Sequence, residues 1–167
     1  LRHGGGGKYG GLCRAAVEGA LFNRLATEPA LGSPSRGGMF MSCATPIEKG
    51  WLVNGHKTWA TGGRHLTHLL VRLSLDEGAG EVLIYPDMPG VEWVETWGDS
   101  LSLRASDSHD VYFKNVLVPH DHLVQRGGAQ KDAPPNAWFL MVVAATYLGA
   151  AMAARDALIQ YALERVP

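Results

Sequence analysis

Thr27, Gly32, Ser33, Trp59 and Thr61 are the residues whose types and spacing suit the holding of a bound group. Thr27 offers a hydroxyl and a backbone N–H from a loop stiffened by Pro29. Gly32 and Ser33 let backbone and hydroxyl approach a phosphate closely. Trp59 supplies a large flat surface. If this stretch is a strand, Thr61 points from the same face two residues on and can donate a hydrogen bond there. No residue is assigned a catalytic role, and none a metal.

Other candidate chemistry fails on spacing. Gly7-Lys8 invites comparison with a phosphate loop, but the positions that need Gly and Ser/Thr hold Arg2 and Tyr9. Gly5, Gly7 and Gly10 spell GxGxxG with no strand before them, as chance in a glycine tract does. His120 and His122, two apart after a strand, could share a face and bind a metal, but Leu123-Val124-Gln125-Arg126 supplies no acidic ligand. They read as surface histidines, as do His65 and His68, in a loop and at a strand edge. Cys13 and Cys43 form no CxxC and read as small buried hydrophobes, in keeping with a reducing, cytoplasmic setting. No signal peptide is expected from the N-terminal residues.

The elements that must position these residues follow from periodicity. Residues 3–11 are a glycine-rich segment, and Leu12 to Leu25 has a helical stripe of Leu12, Ala16, Gly19 and Ala20. Thr27 to Gly38 carries two prolines and three glycines and reads as a shaped loop. From Met39 the period becomes two. Strands are expected at Met39–Ile47, Trp51–Ala60 (interrupted by a turn at Asn54-Gly55), His68–Leu75, Glu81–Tyr85, Val91–Trp97 and Asp110–Val118. Residues 126–136 read as a linker, and Asn136 as the cap of a helix running to Arg165. That helix is about 45 Å long, whereas a domain of about 100 residues is some 25–30 Å across. It overhangs, and its apolar side calls for other helices. Asn136 to Ala154 has no charge and meets the length rule for a membrane span. Its Ala/Gly richness and its continuation into Arg155-Asp156 favour a helix of a bundle. The fold class expected is α+β: a small antiparallel β-barrel or sandwich flanked by a short N-terminal and a long C-terminal helix.

The 167 residues suit one domain with pieces of its neighbours; 46% are apolar, only 19% are charged, and the net charge is −1. The charge shortfall against about 25% in average chains hints at apolar surface meant for a partner. The absence of a basic run argues against a nucleic-acid partner.

Three segments then carry a family resemblance. Leu25-Ala26-Thr27-Glu28-Pro29-Ala30-Leu31-Gly32-Ser33 resembles an x-x-T-E-P-x-x-G-S loop. Gly50-Trp51-Leu52-Val53-Asn54-Gly55-His56-Lys57-Thr58-Trp59-Ala60-Thr61-Gly62 resembles G-[WY]-x-[LI]-N-G-x-K-x-W-I-T-[NG]. Leu103 to Ser108, followed by Val111-Tyr112-Phe113-Lys114-Asn115-Val116-Leu117-Val118-Pro119, resembles G-x-R-x-S-x-T … V-x-F-x-[DN]-V-x-V-P. In this order and spacing they resemble the flavin-binding middle domain of the acyl-CoA dehydrogenases. The resemblance implies FAD as cofactor, with Ala26 and Thr27 at the ring edge, Gly32 and Ser33 near the pyrophosphate, Ser33 also near substrate, and Trp59, Ala60 and Thr61 at the ring and its N5. It divides the chain into a remnant of an N-terminal helical domain (1–24), a flavin-binding β-domain (25–128) and a linker with the first helix of a C-terminal bundle (129–167). It leaves Lys57 and Asn54 structural, and Arg104 bracing a loop.

The implied activity is α,β-dehydrogenation of an acyl thioester such as an acyl-CoA, with hydride passed to the flavin. In the family the base is a Glu of the C-terminal bundle, for which this chain offers no candidate, so the chain alone is expected to be inactive. Two departures stand out. Pro34 replaces the Asp that follows Gly-Ser, and Ala137-Trp138-Phe139-Leu140 lacks the Asp and Arg that approach the pantetheine. The second keeps open a flavin monooxygenase of the same fold, and a non-catalytic assembly module is the third alternative. A homo-oligomer, or association through the C-terminal helix, is expected, and no membrane.

Overall fold

A computed structural model describes residues 9–31, 39–99, 103–127 and 137–165. The chain forms two compact units, Leu1–Gly128 and Ala129–Pro167. In the first, helix α1 (Gly10–Val17) precedes eight strands: β1 Phe22–Leu25, β2 Cys43–Ile47, β3 Gly50–Ala60, β4 His68–Leu75, β5 Gly78–Ile84, β6 Val91–Val94, β7 His109–Val118 and β8 Leu123–Arg126. They form one sheet in the order β6-β7-β3-β2-β4-β5-β8, with β1 on β4. The fold is α+β as expected. The ladders are antiparallel except β1 with β4 and the single Cys43–Ser74 bridge of β2 with β4, so the sheet is mixed.

Alternation builds the core. Leu69, Val71, Leu73 and Leu75 of β4 are buried while the residues between them are half-exposed. They pack with Trp51, Val53, Val82, Ile84, Val111, Phe113, Val116 and Val118 in one apolar cluster.

Several expected elements differ for physical reasons. The helix expected from Leu12 to Leu25 ends at Val17. Gly19, at φ +97°, terminates it: the Gly19 N–H bonds the Ala16 carbonyl and the Ala20 N–H bonds the Ala15 carbonyl, a Schellman closure. Phe22–Leu25 is then free to pair with β4. The strand expected from Met39 starts only at Cys43; its Pro46 is tolerated because β4 pairs with β2 at Cys43 alone. Asn54-Gly55 makes no turn. β3 runs through it with a bulge against β7, and Asn54 exchanges two hydrogen bonds with Asn115 at 3.1 and 2.9 Å. A Cβ on Gly55 would lie 2.7 Å from Ser42 Cα, so β3 passes the Ser42 backbone at a distance only glycine permits. β8, unforeseen, pairs with β5 where loop and linker were expected.

Cys13 and Cys43 are exposed, contrary to the expectation of burial. His120 lies by the Glu48 carbonyl and edge-on to Trp51, while His122 meets the Leu83 carbonyl and Tyr85, so the two diverge. His65 is exposed, but His68 is half-buried and stacked on Phe22 at 4.3 Å.

The second unit is described as one helix, α2 (Ala137–Glu164). Leu140, Met141, Tyr147, Leu148, Met152, Leu158 and Ile159 are all exposed on it. Over Leu140–Glu164 the helix is long and apolar enough to cross a membrane, by length and composition. The expected cap Asn136 lies outside the described residues.

Candidate functional site

The Thr27 loop and β3 are locked together by a buried ion pair. Lys57 Nζ lies 2.6 Å from Glu28 Oε1, with the two side chains 0% and 1% exposed. Glu28 also accepts the Met41 and Ser42 N–H groups at 2.7 and 3.0 Å, and Lys57 sits over the Phe40 ring at 4.5 Å. Burial pushes the Glu28 carboxyl up, but hydrogen bonds from Lys57 and from the Met41 and Ser42 amides outweigh it and hold it below its ordinary value. Burial draws the Lys57 ammonium down against the opposing pull of Glu28, and Arg72 adds to the lowering.

One step along β3 from this lock, the Thr58 N–H donates to the Thr27 carbonyl at 3.1 Å. Next comes Trp59, at φ +56°, where the β3–β7 register shifts between Lys57 and Ala60. A left-handed tryptophan is a strained residue, held there by its surroundings. The residue is 62% exposed. Thr27, Pro29, Thr58, Trp59, Thr96 and Trp97 line one cleft of about 290 Å³, with Glu28 and Asp110. Among the described residues the Thr27 hydroxyl has no hydrogen-bond partner.

The far wall is fixed by His109. Its Nδ1 accepts the Thr96 and Trp97 N–H groups at 3.1 and 3.2 Å, so the ring proton sits on Nε2, 2.6 Å from Asp107 Oδ1. The Trp97 indole N–H donates to the Leu103 carbonyl at 3.0 Å.

The other expected residues distribute as follows. Ala26 is half-buried. Ala60 is fully buried, with its methyl in the core, and does not line the cleft. Thr61 does not line the cleft. The two-residue alternation from Trp59 fails because Trp59 is left-handed and the Thr61 N–H turns back to its carbonyl at 2.8 Å. The Thr61 hydroxyl instead joins a chain to Ser108 and Ser106 at 3.0 and 2.8 Å. Gly32 and Ser33 lie outside the described residues. Sequence reasoning missed Thr96, Trp97, His109 and Asp110, which belong to no local pattern and meet the cleft only through the β6–β7 and β3–β7 pairings.

The exposed, left-handed Trp59 and Thr27 thus line one cleft of the mixed β-domain. The chain belongs to the acyl-CoA dehydrogenase family: residues 24–116 match its family description, "Acyl-CoA dehydrogenase, middle domain". It is 40% identical over 158 residues to the acyl-CoA dehydrogenase homologue YdbM of Bacillus subtilis, covering 93% of this chain and 41% of that protein. It is 37% identical over 116 residues to the amino sugar nitrososynthase RubN8 of Streptomyces rubradiris, covering 64% of this chain and 27% of that one. A glutaryl-CoA dehydrogenase from Mycobacterium smegmatis, solved in complex with FADH2, superposes with a TM-score of 0.59 at 31% identity, covering 67% of this chain and 28% of that chain. The chain spans less than half the length of each of these relatives.

Proposed function

We infer that this chain is the flavin-cradling part of a longer FAD-dependent oxidoreductase of the acyl-CoA dehydrogenase type. The observation that carries the reading is the exposed, left-handed Trp59 opposite Thr27, tied to it through Thr58 and lining one cleft. The donor set suits FAD: a flat aromatic wall, a hydroxyl and N–H groups of a proline-stiffened loop. In this reading Thr27 and the Ala26 backbone meet the ring edge. Trp59 meets the ring. Gly32 and Ser33 take the pyrophosphate, with Ser33 also near substrate. FAD, when bound, supplies the hydride acceptor. The chain's own residues orient it: the Glu28–Lys57 pair fixes the Thr27 loop against β3, and His109 fixes the Thr96-Trp97 wall. The substrate proposed is an acyl thioester, and the proton-abstracting base belongs to the remainder of the enzyme.

The test is purification of the complete protein. FAD should co-purify, and Trp59→Ala should lower its retention about tenfold or more, on the scale of one lost aromatic contact. A complete protein that takes up no flavin under any condition sinks the reading. A second reading, a flavin monooxygenase, is favoured by the likeness to the nitrososynthase and by the uncharged Ala137-Trp138-Phe139-Leu140 turn. Oxygen consumption by the reduced enzyme, with no reduction by any acyl-CoA, selects it.

A further inference from the structure

A second cleft, about 410 Å³, adjoins the first; Pro29, Ala30, Met41, Gly55, His56 and Tyr112 contribute to its walls. His56 stands opposite Tyr112 in the β3–β7 register, and their rings stack at 3.9 Å with 14° between planes. His56 Nε2 lies 2.7 Å from Asp110 Oδ2. The other carboxylate oxygen, Oδ1, accepts the Thr96 hydroxyl at 3.1 Å. An ionised carboxylate only accepts, so Nε2 carries a proton, and the neutral form of the ring presents its lone pair at Nδ1.

Two restraints therefore hold this imidazole, the stack and the carboxylate, and the Thr96 hydroxyl orients the carboxylate. Among the described residues, Nδ1 has no hydrogen-bond partner. A side chain so restrained at one nitrogen, with the other left open, is arranged as a ligand contact is: the partner orients, the free nitrogen binds. Asp110 also lines the Trp59 cleft, so the pair links the two clefts. Around the imidazole the walls are apolar, from Pro29, Ala30 and the exposed Met41. They suit an aliphatic stem, and a polar group ending that stem needs a partner there.

We propose that His56 is a substrate-contacting residue. Its cleft takes the part of a substrate that carries an N–H or O–H donor on an aliphatic stem, with the donor on Nδ1 and the stem on Pro29, Ala30 and Met41. The word substrate rests on the flavin reading; the contact itself does not.

The test uses the complete protein, flavin-loaded and labelled with 15N-histidine. Two probe pairs distinguish the donor types. N-butylacetamide is compared with N-butyl-N-methylacetamide, and n-pentanol with butyl methyl ether. At least one donor-bearing probe should shift the His56 Nδ1 resonance saturably, and bind about tenfold more tightly than its donor-free counterpart. The pair that discriminates identifies the donor as amide or hydroxyl. His56→Phe, which keeps a ring on Tyr112, should erase the discrimination. Asp110→Asn, which frees the tautomer, should weaken it. Equal binding within both pairs, an unmoved Nδ1, or discrimination that persists in His56→Phe overturns the proposal. FAD content is read on the same samples. In the unsubstituted protein, no discrimination with FAD retained refutes this contact alone, whereas a protein without FAD that still discriminates refutes the flavin reading alone.

Discussion

A lysine with no exposed surface is the residue on which this site turns. Replacing only one member of a buried pair leaves the other charge unpaired, which costs about 3–5 kcal/mol, whereas replacing both with apolar groups of similar volume is often near neutral. Lys57→Met should therefore destabilise the complete protein on that scale in urea unfolding, and Glu28→Gln combined with Lys57→Met should recover most of the loss, because the neutral amide oxygen still accepts the Met41 and Ser42 N–H groups. The pair also sets a pH dependence. Glu28 is held below its ordinary value in the folded state, so the unfolded chain binds its proton more readily. Its contribution is present above the ordinary glutamate range and is lost as pH falls through the lowered value. Urea midpoints measured down an acid series should decline over that window, and Glu28→Gln should flatten the decline. Trp59 supplies a contrasting case, because its backbone is strained and its indole exposed. Trp59→Gly should relieve left-handed strain of about 1 kcal/mol, raising thermal stability, while flavin retention falls. A loss of both would mean that the indole holds the β-domain together.

At the scale of elements, glycines decide where regular structure stops. Gly19→Ala, at a C′ position with φ +97°, should cost about 1 kcal/mol by chemical denaturation. Gly55→Ala, whose new Cβ would sit 2.7 Å from a backbone atom of Ser42, should cost about 1–3 kcal/mol. The first was hidden because Gly19 fits the stripe of Leu12, Ala16 and Ala20, and a helical period does not reveal its own cap. Where one period ran unbroken the sequence was legible: β4 and most of β3, β5 and β7 stand where alternation put them. Trp59 and Thr27, singled out through type and motif, line one cleft. Thr61 was misdirected by extending alternation past a residue that breaks it. Thr96, Trp97 and His56 reach their clefts through strand pairing across long sequence separations, which no local pattern carries.

At the scale of the molecule, the unsolved balance lies in α2. The β-domain buries its apolar residues within itself, as Val53, Leu69, Val71 and Phe113 show. α2 does the opposite: Leu140, Tyr147 and Leu158 are exposed, and so are Met141, Leu148 and Ile159 on the other stripe. A helix apolar on more than one side is stable only where several neighbours, or lipid, cover it. The relatives are more than twice as long as this chain, so further helices of the same protein are the proposed cover. The 167-residue chain alone should then self-associate with concentration in sedimentation velocity, while a chain ending at Gly128 stays monomeric and keeps its sheet by circular dichroism. Addition of lipid vesicles separates the two kinds of cover. If α2 seeks helices, the 167-residue chain stays in the aqueous phase on flotation and the complete protein shows no exposed apolar helix to a hydrophobic dye. Flotation of both chains with the vesicles would overturn the bundle reading and make α2 a membrane segment.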